Sequence, residues 1–375
     1  MQNSRSLLPL PLLPLLFLLA APACDDPDAD SADDEAAAGE DEEAVDEVEF
    51  RGWGYSESTV KLNTNIVNGS SINTVRFGAP SSYGSEVSYI SVPLFNSTMN
   101  LSTVQVIDGA IQGTTVNGQF VPAHGFEGGT WIVTPQGGVP TSMVLEDVRY
   151  ASEVSLANEG SKMMTNLDPD RIVYKWKSTA APAYGTKVDP KTGWGGTWDG
   201  LHTCATDPKG QTWGVMYRGL IVNETTGDLN YMGNPNQYAY LACLSGRIGK
   251  TSLWGYAPDN PSADVPDLTL AEFEGAHRMV GAEYCGDGRS FTRPGEAVTL
   301  VDKWGINQHQ GEAITDEAAW TLAGVKCIGT PRWEAQSPNV ICNGVQVPAC
   351  GDVAAAWYGW FEESKWWTKN ATFPD

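Results

Sequence analysis

Between residues 58 and 177, apolar and polar residues alternate in short runs separated by turn-forming residues. The runs are STVKLNTNIV, INTVRF, VSYISVPLF, STVQVIDGAIQGTTV, TWIVT and RIVYKWK, and NGS, FGAP, QGG and LDPD lie between them. A period of two places successive side chains on opposite faces of a strand, and Gly, Asn, Asp and Pro favour turns. A helical period stands out only around 144–164. The pattern therefore predicts a β-rich domain over 50–180, built as a sandwich or a barrel.

After residue 180 the pattern changes, and we predict a second domain over 181–375. The strand-like runs QTWGVMYRGLIV and YAYLACL precede a helical pattern over 268–285, capped by Asp267 or Thr269 and stopped by Gly286. SFT and AVTLVD, on either side of RPGE, predict a hairpin, and two further helices are predicted over 315–324 and 352–367. The predicted fold class is mainly β with a few short helices in the C-terminal third, α+β as a whole.

The first 23 residues have the form of a signal peptide. Arg5 precedes the run LLPLPLLPLLFLLA, which is too short and too rich in proline to span a bilayer. The junction APAC (21–24) resembles a bacterial lipobox, in which cleavage before Cys24 is followed by attachment of lipid to that residue. The junction also has the A-x-A form of an ordinary secretory cleavage site, which would leave Cys24 free.

The number of cysteines favours the lipoprotein interpretation. The chain has seven, and lipid on Cys24 leaves an even set in a compartment that permits disulfides: Cys204, Cys243, Cys285, Cys327, Cys342 and Cys350. We therefore expect an exported protein anchored through its N-terminal lipid to a bacterial outer membrane or cell surface, the alternative being secretion.

Residues 24–49 are predicted to be a lipid-anchored, disordered tether. The 25 residues from 25 to 49 hold 14 acidic residues and no basic one, and such self-repelling charge keeps a chain extended. Without those 14 acids and Arg5, the chain keeps 46 − 14 = 32 acidic and 23 − 1 = 22 basic residues, a net charge of −10. A folded part this acidic has no electrostatic footprint for nucleic acid, so we expect no nucleic-acid partner.

Three stretches of the second half resemble the bacterial family that is named for its ADYC motif. They are RMVGAEYCGDGRSFTRPGE (278–296), AYLACLSGRIGK…WGYAP (239–258) and DEAAWTLAGVKCIGTPRW (316–333), which together cover about 180–335. Glu283 replaces the aspartate of the motif. The resemblance implies an exported, often lipid-anchored, β-rich protein with paired cysteines, and it implies no particular reaction.

The resemblance also bears on the disulfides. Thr251 and Ala276 stand where the family usually has cysteines, as the loss of one disulfide would leave them. Cys243, Cys285 and Cys327 match the family pattern, whereas Cys204, Cys342 and Cys350 are less securely placed. We expect Cys285 to pair with Cys327 or Cys243, and Cys342 with Cys350 as a local staple.

No catalytic or metal-binding constellation emerges from the motifs. His277 and Cys285 are separated by about 12 Å along a helix, so they cannot form a nucleophile–base pair. The chain has only 4 histidines and no zinc-ligand spacing. Asp287 in CGDGRS lacks the alternating oxygen donors of a calcium loop, so it is expected to cap its own turn. We therefore predict no catalytic residue, no metal and no cofactor.

The 14 tryptophans are the remaining unusual feature. Most are expected in the core, but the glycine-flanked loop GWGGTWDG could hold Trp194 and Trp198 in solvent beside Asp199, facing a ligand. The sequence thus favours a cell-envelope lipoprotein with a non-enzymatic structural or interaction role and an unknown protein or glycan partner. The alternative is a secreted carbohydrate-binding protein or glycoside hydrolase that uses exposed Trp and acidic residues.

Overall fold

The computed structural model describes residues 63, 65–67, 70–78, 84–94, 97–154, 166–178, 201–205, 212–223, 225–262, 266–292, 298–307, 315–332, 339–350 and 364–370. The strands of the first half are β1 (Ile66–Val67), β2 (Ser70–Ser71), β3 (Thr74–Phe77), β4 (Ser85–Leu94), β5 (Ser97–Ile107), β6 (Ala110–Thr115), β7 (Phe120–Val121), β8 (Thr130–Thr134), β9 (Thr141–Tyr150) and β10 (Ile172–Ser178). Short 3-10 turns occupy Ala123–Phe126 and Ala151–Glu153.

The second half contains both helices and strands. Its elements are β11 (Gly214–Arg218), β12 (Leu220–Val222), β13 (Leu229–Tyr231), a 3-10 turn (Pro235–Gln237), β14 (Tyr238–Cys243), α1 (Arg247–Leu253), α2 (Leu270–Val280), β15 (Val298–Asp302), β16 (Thr315–Thr321), β17 (Gly324–Ile328), β18 (Ile341–Cys342), β19 (Val345–Gln346) and β20 (Trp366–Asn370). The predicted fold class, mainly β with a few short helices, is therefore confirmed.

Seven strands of the described residues close into a barrel. They follow each other in the order β3, β14, β11, β10, β9, β8 and β4, and the ring closes because β4 also pairs with β3. The closing pair is parallel, with Val75 opposite Ser85, whereas the other neighbours are antiparallel. The barrel predicted as one option for the alternating runs is thus the observed architecture.

Bulky aromatic side chains fill the barrel, as the alternating pattern requires. Trp131, Tyr174 and Trp176 are fully buried in one cluster with aliphatic residues of the surrounding strands. Tyr174 and Trp176 stack with their ring centroids 5.5 Å apart. Gly214 faces this pair, and a Cβ atom there would overlap the Trp176 ring and lie 2.7 Å from the carbonyl oxygen of Ala242.

A hairpin extension packs against the barrel core. Strands β5, β6 and β7 continue the sheet beyond β4, and the β5–β6 turn reaches Tyr174. The phenol of Tyr174 donates to the carbonyl oxygen of Gly109 at 2.9 Å and accepts from the amide of Ile111 at 2.9 Å. The ring that packs the barrel therefore also anchors the extension.

Three neighbouring strands of the barrel, β10, β11 and β14, contribute buried residues on both faces. On β14, Leu241 belongs to the barrel core, whereas Tyr240 belongs to a second core formed with the helices and the C-terminal sheet. Tyr217 of β11 packs against Phe273 of α2, with ring centroids 5.2 Å apart. Because all residues of Tyr238–Cys243 are buried, this strand reads as a continuous apolar run.

A four-stranded antiparallel sheet, in the order β15, β20, β16 and β17, packs against α2. The helix predicted over 315–324 is wrong, because Thr315–Thr321 is the strand β16. This strand lies between two others and buries Trp320 on one face and Ala319 on the other, so its apolar residues do not alternate.

Three further local predictions need correction. The helical pattern at 144–164 begins inside strand β9. The end of the helix predicted over 352–367 lies in strand β20, and residues 352–363 are outside the described part. The hairpin predicted around RPGE is absent from the described residues, because β15 pairs with β20 and the SFT segment forms no strand.

The expected boundary at residue 180 falls outside the described residues. Strands from both sides of it, β10 and β11, are neighbours in the barrel, and residues 50–375 form one compact unit. The acidic segment 24–49 and the signal peptide 1–23 also lie outside the described residues.

We predict that Gly214→Ala destabilises the barrel by about 1–3 kcal/mol, because the added methyl group must displace the Trp176 ring or strain the β11–β14 pair. Urea unfolding followed by tryptophan fluorescence measures the change. Gly233→Ala is the matched control, since no atom lies within 4 Å of the added methyl group there. Equal stability of the two variants would contradict the proposed packing.

Candidate functional site

The ADYC-like motif, Ala282 to Cys285, follows the end of helix α2. As predicted, Thr269 caps the helix, and its capping box with Glu272 is present. The helix ends at Val280, earlier than the predicted stop at Gly286.

The backbone explains the early end of the helix. Gly281 forms the C-cap, and Ala282 takes a positive φ of 48°, a conformation that cannot continue a right-handed helix. Gly286, with a φ of 62°, instead forms a later turn. The motif is therefore a bend rather than a helical turn, and it directs Glu283 and Tyr284 into the interior.

Glu283 is the centre of a buried charge cluster, which we call the Glu283 cluster: Arg247, His277, Arg278 and Glu283. The carboxylate of Glu283 lies 2.8 Å from the Arg247 guanidinium and 3.8 Å from that of Arg278. It also accepts from the amide of Gly288 at 2.7 Å. Burial raises the pKa of Glu283, and the Arg247 charge opposes that rise. These partners compensate much of the loss of water.

His277, another member of the cluster, lies against Gly227. Its Nε2 lies 2.7 Å from the carbonyl oxygen of Gly227, so this nitrogen carries the proton. Burial, and then the charges of Arg247 and Arg278, hold the pKa of His277 well below its ordinary value. Gly227 has a φ of 76°, and a Cβ atom there would lie 2.8 Å from Arg247 and 2.9 Å from the imidazole. Only glycine leaves room for this close approach.

Tyr284 organises a second buried group on the other side of the bend. Its phenol donates to Glu317 of β16 at 2.9 Å and accepts from the amide of Arg332 at 2.8 Å. Its ring stacks on Trp320 with centroids 5.3 Å apart. Burial, reinforced by the Glu317 charge, raises the pKa of Tyr284 well above its ordinary value, so the phenol stays protonated and able to donate.

Arg332 connects this group to helix α2. It pairs with Glu317 at 3.1 Å and donates to the carbonyl oxygens of Met279 and Val280 at 3.1 and 2.9 Å. These carbonyl groups belong to the last turn of the helix, where they have no hydrogen-bond donor within the helix. A cation at that end of the helix also interacts favourably with the helix dipole.

Three disulfides pair all six cysteines of the described part, and the pairing corrects our expectation. Cys285 bonds to Cys342, not to Cys327 or Cys243. Cys342 and Cys350 do not form a local staple, because Cys350 bonds to Cys327. The third bond joins Cys204 to Cys243. Each bond therefore joins one cysteine that matches the family pattern to one that is less securely placed in it.

The two positions at which the family usually has cysteines lie on neighbouring helices. Thr251 on α1 and Ala276 on α2 are both fully buried. The Thr251 hydroxyl donates to the carbonyl oxygen of Arg247 at 2.8 Å, which satisfies it within its own helix. In this chain, Ala276 is packed in the core, and Thr251 is packed there with its hydroxyl in a local hydrogen bond.

The chemistry available at the motif is limited. Its cysteine is oxidised, its imidazole is enclosed, and the described residues contain no group of three His, Cys, Asp or Glu side chains that could hold a metal ion. Asp287 accepts from the amide of Arg289 at 3.2 Å, the turn-capping role predicted for it.

The candidate ligand-facing residues Trp194, Trp198 and Asp199, and the candidate lipid-attachment site Cys24, lie outside the described residues. Within the described part, several tryptophans are core residues: Trp131, Trp176, Trp213, Trp254, Trp320, Trp366 and Trp367. No helix of the described part is long and apolar enough to cross a membrane.

Arg247, Glu317 and Arg332 are partners of the motif that the sequence did not predict. Arg247 lies in SGRIGK and Arg332 in TPRW, both inside stretches that carry the family resemblance. The positions of Arg247 and Arg332 in the sequence do not show how close these side chains lie to the motif in the folded protein. A charged residue inside an apolar run, such as Glu317 in DEAAW, was the one local signal of a buried pair.

Comparison with known proteins agrees with the resemblance seen in the sequence. The ADYC domain family model matches residues 145–334. The match begins within β9, so it includes β10 and extends to the segment that carries Arg332. No curated protein and no solved structure matches the chain.

The low pKa of His277 leads to a prediction about acid stability. The unfolded chain takes up a proton on this imidazole near pH 6.5, whereas the folded chain resists it, so stability is retained above that pH and falls below it. Between pH 7 and 5.5, we expect the wild type to lose about 1 kcal/mol more than His277→Gln, whose amide can still donate to Gly227.

Urea unfolding of both proteins at pH 7, 6 and 5.5 measures this difference. The buried groups facing the imidazole, Arg247, Arg278 and Glu283, are common to both proteins, so their contributions cancel. Parallel stability profiles would show that His277 is not protected from protonation.

Proposed function

We propose that this chain, which belongs to the ADYC domain family, is a lipid-anchored protein of the cell envelope with a non-enzymatic structural or interaction role. The N-terminal segment would be removed before Cys24, and residues 24–49 would separate the folded part from the membrane. The proposed location is a bacterial outer membrane or cell surface.

The observation that carries this proposal is the inward direction of the motif. Glu283 and Tyr284 are buried. Other side chains of the protein pair with the Glu283 carboxylate on one side of the bend and accept the hydrogen bond of the Tyr284 phenol on the other. A reaction needs a reactive group that a substrate can reach, whereas here the polar groups hold α1, α2 and β16 together. The motif thus has the properties of a structural junction between these elements.

The disulfides support export and the anchor. Three disulfides form and persist in an oxidising compartment, and they are rare in a reducing cytosol. Because the six cysteines of the described part pair with one another, none requires Cys24 as a partner. Cys24 is therefore available for lipid attachment. One acyl chain gives only reversible membrane binding, so a second chain would make the anchor stable.

We expect that Cys24→Ala abolishes incorporation of radiolabelled palmitate and releases the protein from the membrane fraction. The matched control is Ser31→Ala in the acidic segment, which leaves the junction intact and should be labelled like the wild type. Undiminished labelling of Cys24→Ala would refute the anchor.

A carbohydrate-binding role is the second candidate, and an exposed face of the β4–β5 pair favours it. Tyr89 is 40% exposed there, and its phenol donates to the side chain of Asn100. Thr98 and Ser102 add exposed hydroxyls on the same face of β5. An aromatic ring among uncharged hydrogen-bonding groups suits a sugar, and the loop with Trp194 and Trp198 would add further rings.

A glycan array tests this second candidate. If it holds, the wild type binds a defined glycan, and Tyr89→Ala or the pair Trp194→Ala and Trp198→Ala lowers that binding at least tenfold. Tyr150→Ala, another exposed tyrosine, is the matched control. An array without binding by the wild type removes the carbohydrate proposal and leaves the interaction role with a protein partner.

A further inference from the structure

The three disulfides differ in their exposure to solvent. Cys204, Cys243 and Cys327 are fully buried, and Cys350 is 4% exposed. The bond between Cys285 and Cys342 is the exception within the described part, because both of its residues are partly exposed. This bond is therefore the most accessible of the three to an external thiolate, whereas the other two are enclosed.

The Cys285–Cys342 bond lies at a hairpin whose tip is exposed to solvent and whose base is packed against the core. Strands β18 and β19 are joined by Asn343 and Gly344, which have φ angles of 51° and 80°. The hairpin leaves Ile341 51% and Val345 70% exposed, whereas Val340, just before it, is buried in the core that contains Tyr284. Beyond the hairpin, Cys350 is fixed to β17 by its own buried disulfide.

A guanidinium group lies beside one of the two sulfurs. Nη2 of Arg289 is 3.4 Å from Sγ of Cys285 and 3.4 Å from the carbonyl oxygen of Ile341. The carboxylate of Asp287 holds the same guanidinium at 2.7 and 2.8 Å, which fixes its position and offsets part of its charge. A cation at this distance stabilises a thiolate on Cys285 and makes that sulfur the better leaving group.

We propose that Cys285–Cys342 is a thiol–disulfide exchange site for an external dithiol, whereas the other two disulfides are structural. A thiolate of the dithiol attacks Sγ of Cys342, and the sulfur–sulfur bond breaks with its electron pair moving to Cys285 beside Arg289. The second thiol of the dithiol, after losing its proton, then attacks its own partner sulfur and expels the Cys342 thiolate. The dithiol is oxidised to a disulfide, and the protein gains two electrons and, after protonation from water, two protons.

Exchange at this site would loosen the attachment of the β18–β19 hairpin to the motif. Within the described residues, the long hydrogen bond from Arg289 to the carbonyl oxygen of Ile341 would still join the hairpin to the turn after the motif. Glu283 and Tyr284 keep their buried partners, because none of those partners lies in the hairpin. Reduction would therefore loosen residues 341–346, which stay attached through the buried Val340, while the folded core persists.

Graded reduction of the full mature chain tests the proposal. The protein is treated at pH 7 with increasing dithiothreitol, quenched with iodoacetamide, and each cysteine is quantified by peptide mass spectrometry. We expect Cys285 and Cys342 to be alkylated at least tenfold faster than the other four. Hydrogen exchange at residues 341–346 should rise at the same dithiothreitol concentration. Simultaneous labelling of all six cysteines, or earlier labelling of another pair, would overturn the proposal.

Two variants test the role of the arginine. Arg289→Gln should slow reduction of Cys285–Cys342 about fivefold to tenfold, because the departing thiolate loses a charge within about 4 Å. Arg289→Lys should restore part of the rate. Arg218→Gln, at another exposed arginine that binds Asn236, is the matched control and should react like the wild type. An unchanged rate in Arg289→Gln would show that the guanidinium does not activate the bond.

Discussion

The structure depends on one wall of the barrel, formed by β10, β11 and β14, which separates two hydrophobic cores. Leu241 and Met216 face the barrel interior, whereas Tyr240 and Tyr217 face the helices. The two cores share these strands, because each core packs against one of their faces. For that reason the barrel and the motif-bearing part form one compact unit, although the sequence changes its texture after residue 180. A family model that begins at residue 145 matches the part that contains this shared wall.

Charges buried behind this wall require partners that come from distant parts of the chain. Arg247 follows β14, Glu283 follows α2, and Glu317 and Arg332 lie still later. A buried ion loses several kcal/mol of hydration, which only well-placed partners can offset. The Glu283 cluster and the Tyr284–Glu317–Arg332 group therefore define how the helices, the bend and the C-terminal sheet must meet. Loss of one member would leave its partner charged and desolvated.

The features that could be predicted from the sequence are those encoded locally. Alternation located strands such as β8 and β10, and the Thr269–Glu272 capping box located the start of α2. The parallel pair that closes the barrel was not predictable, because consecutive strands with a short connection usually pair antiparallel. Strand β16 resembled a helix because burial on both faces removed its alternation. The partners of Cys285 and Glu283 could not be found because they depend on tertiary contacts, and sequence spacing carries no information about them.

Loop length alone does not distinguish the three disulfides. Their sequence separations are 39, 57 and 23 residues, for the bonds of Cys204, Cys285 and Cys327 respectively. In the chain-entropy account, the longest and shortest loops differ by only about 0.8 kcal/mol in stabilisation. Exposure separates the bonds far more, because a buried bond can be attacked only after local or global unfolding. The bond that closes the longest loop is thus the one that solvent reaches, and its reduction would loosen a surface hairpin while both buried bonds continue to hold the cores.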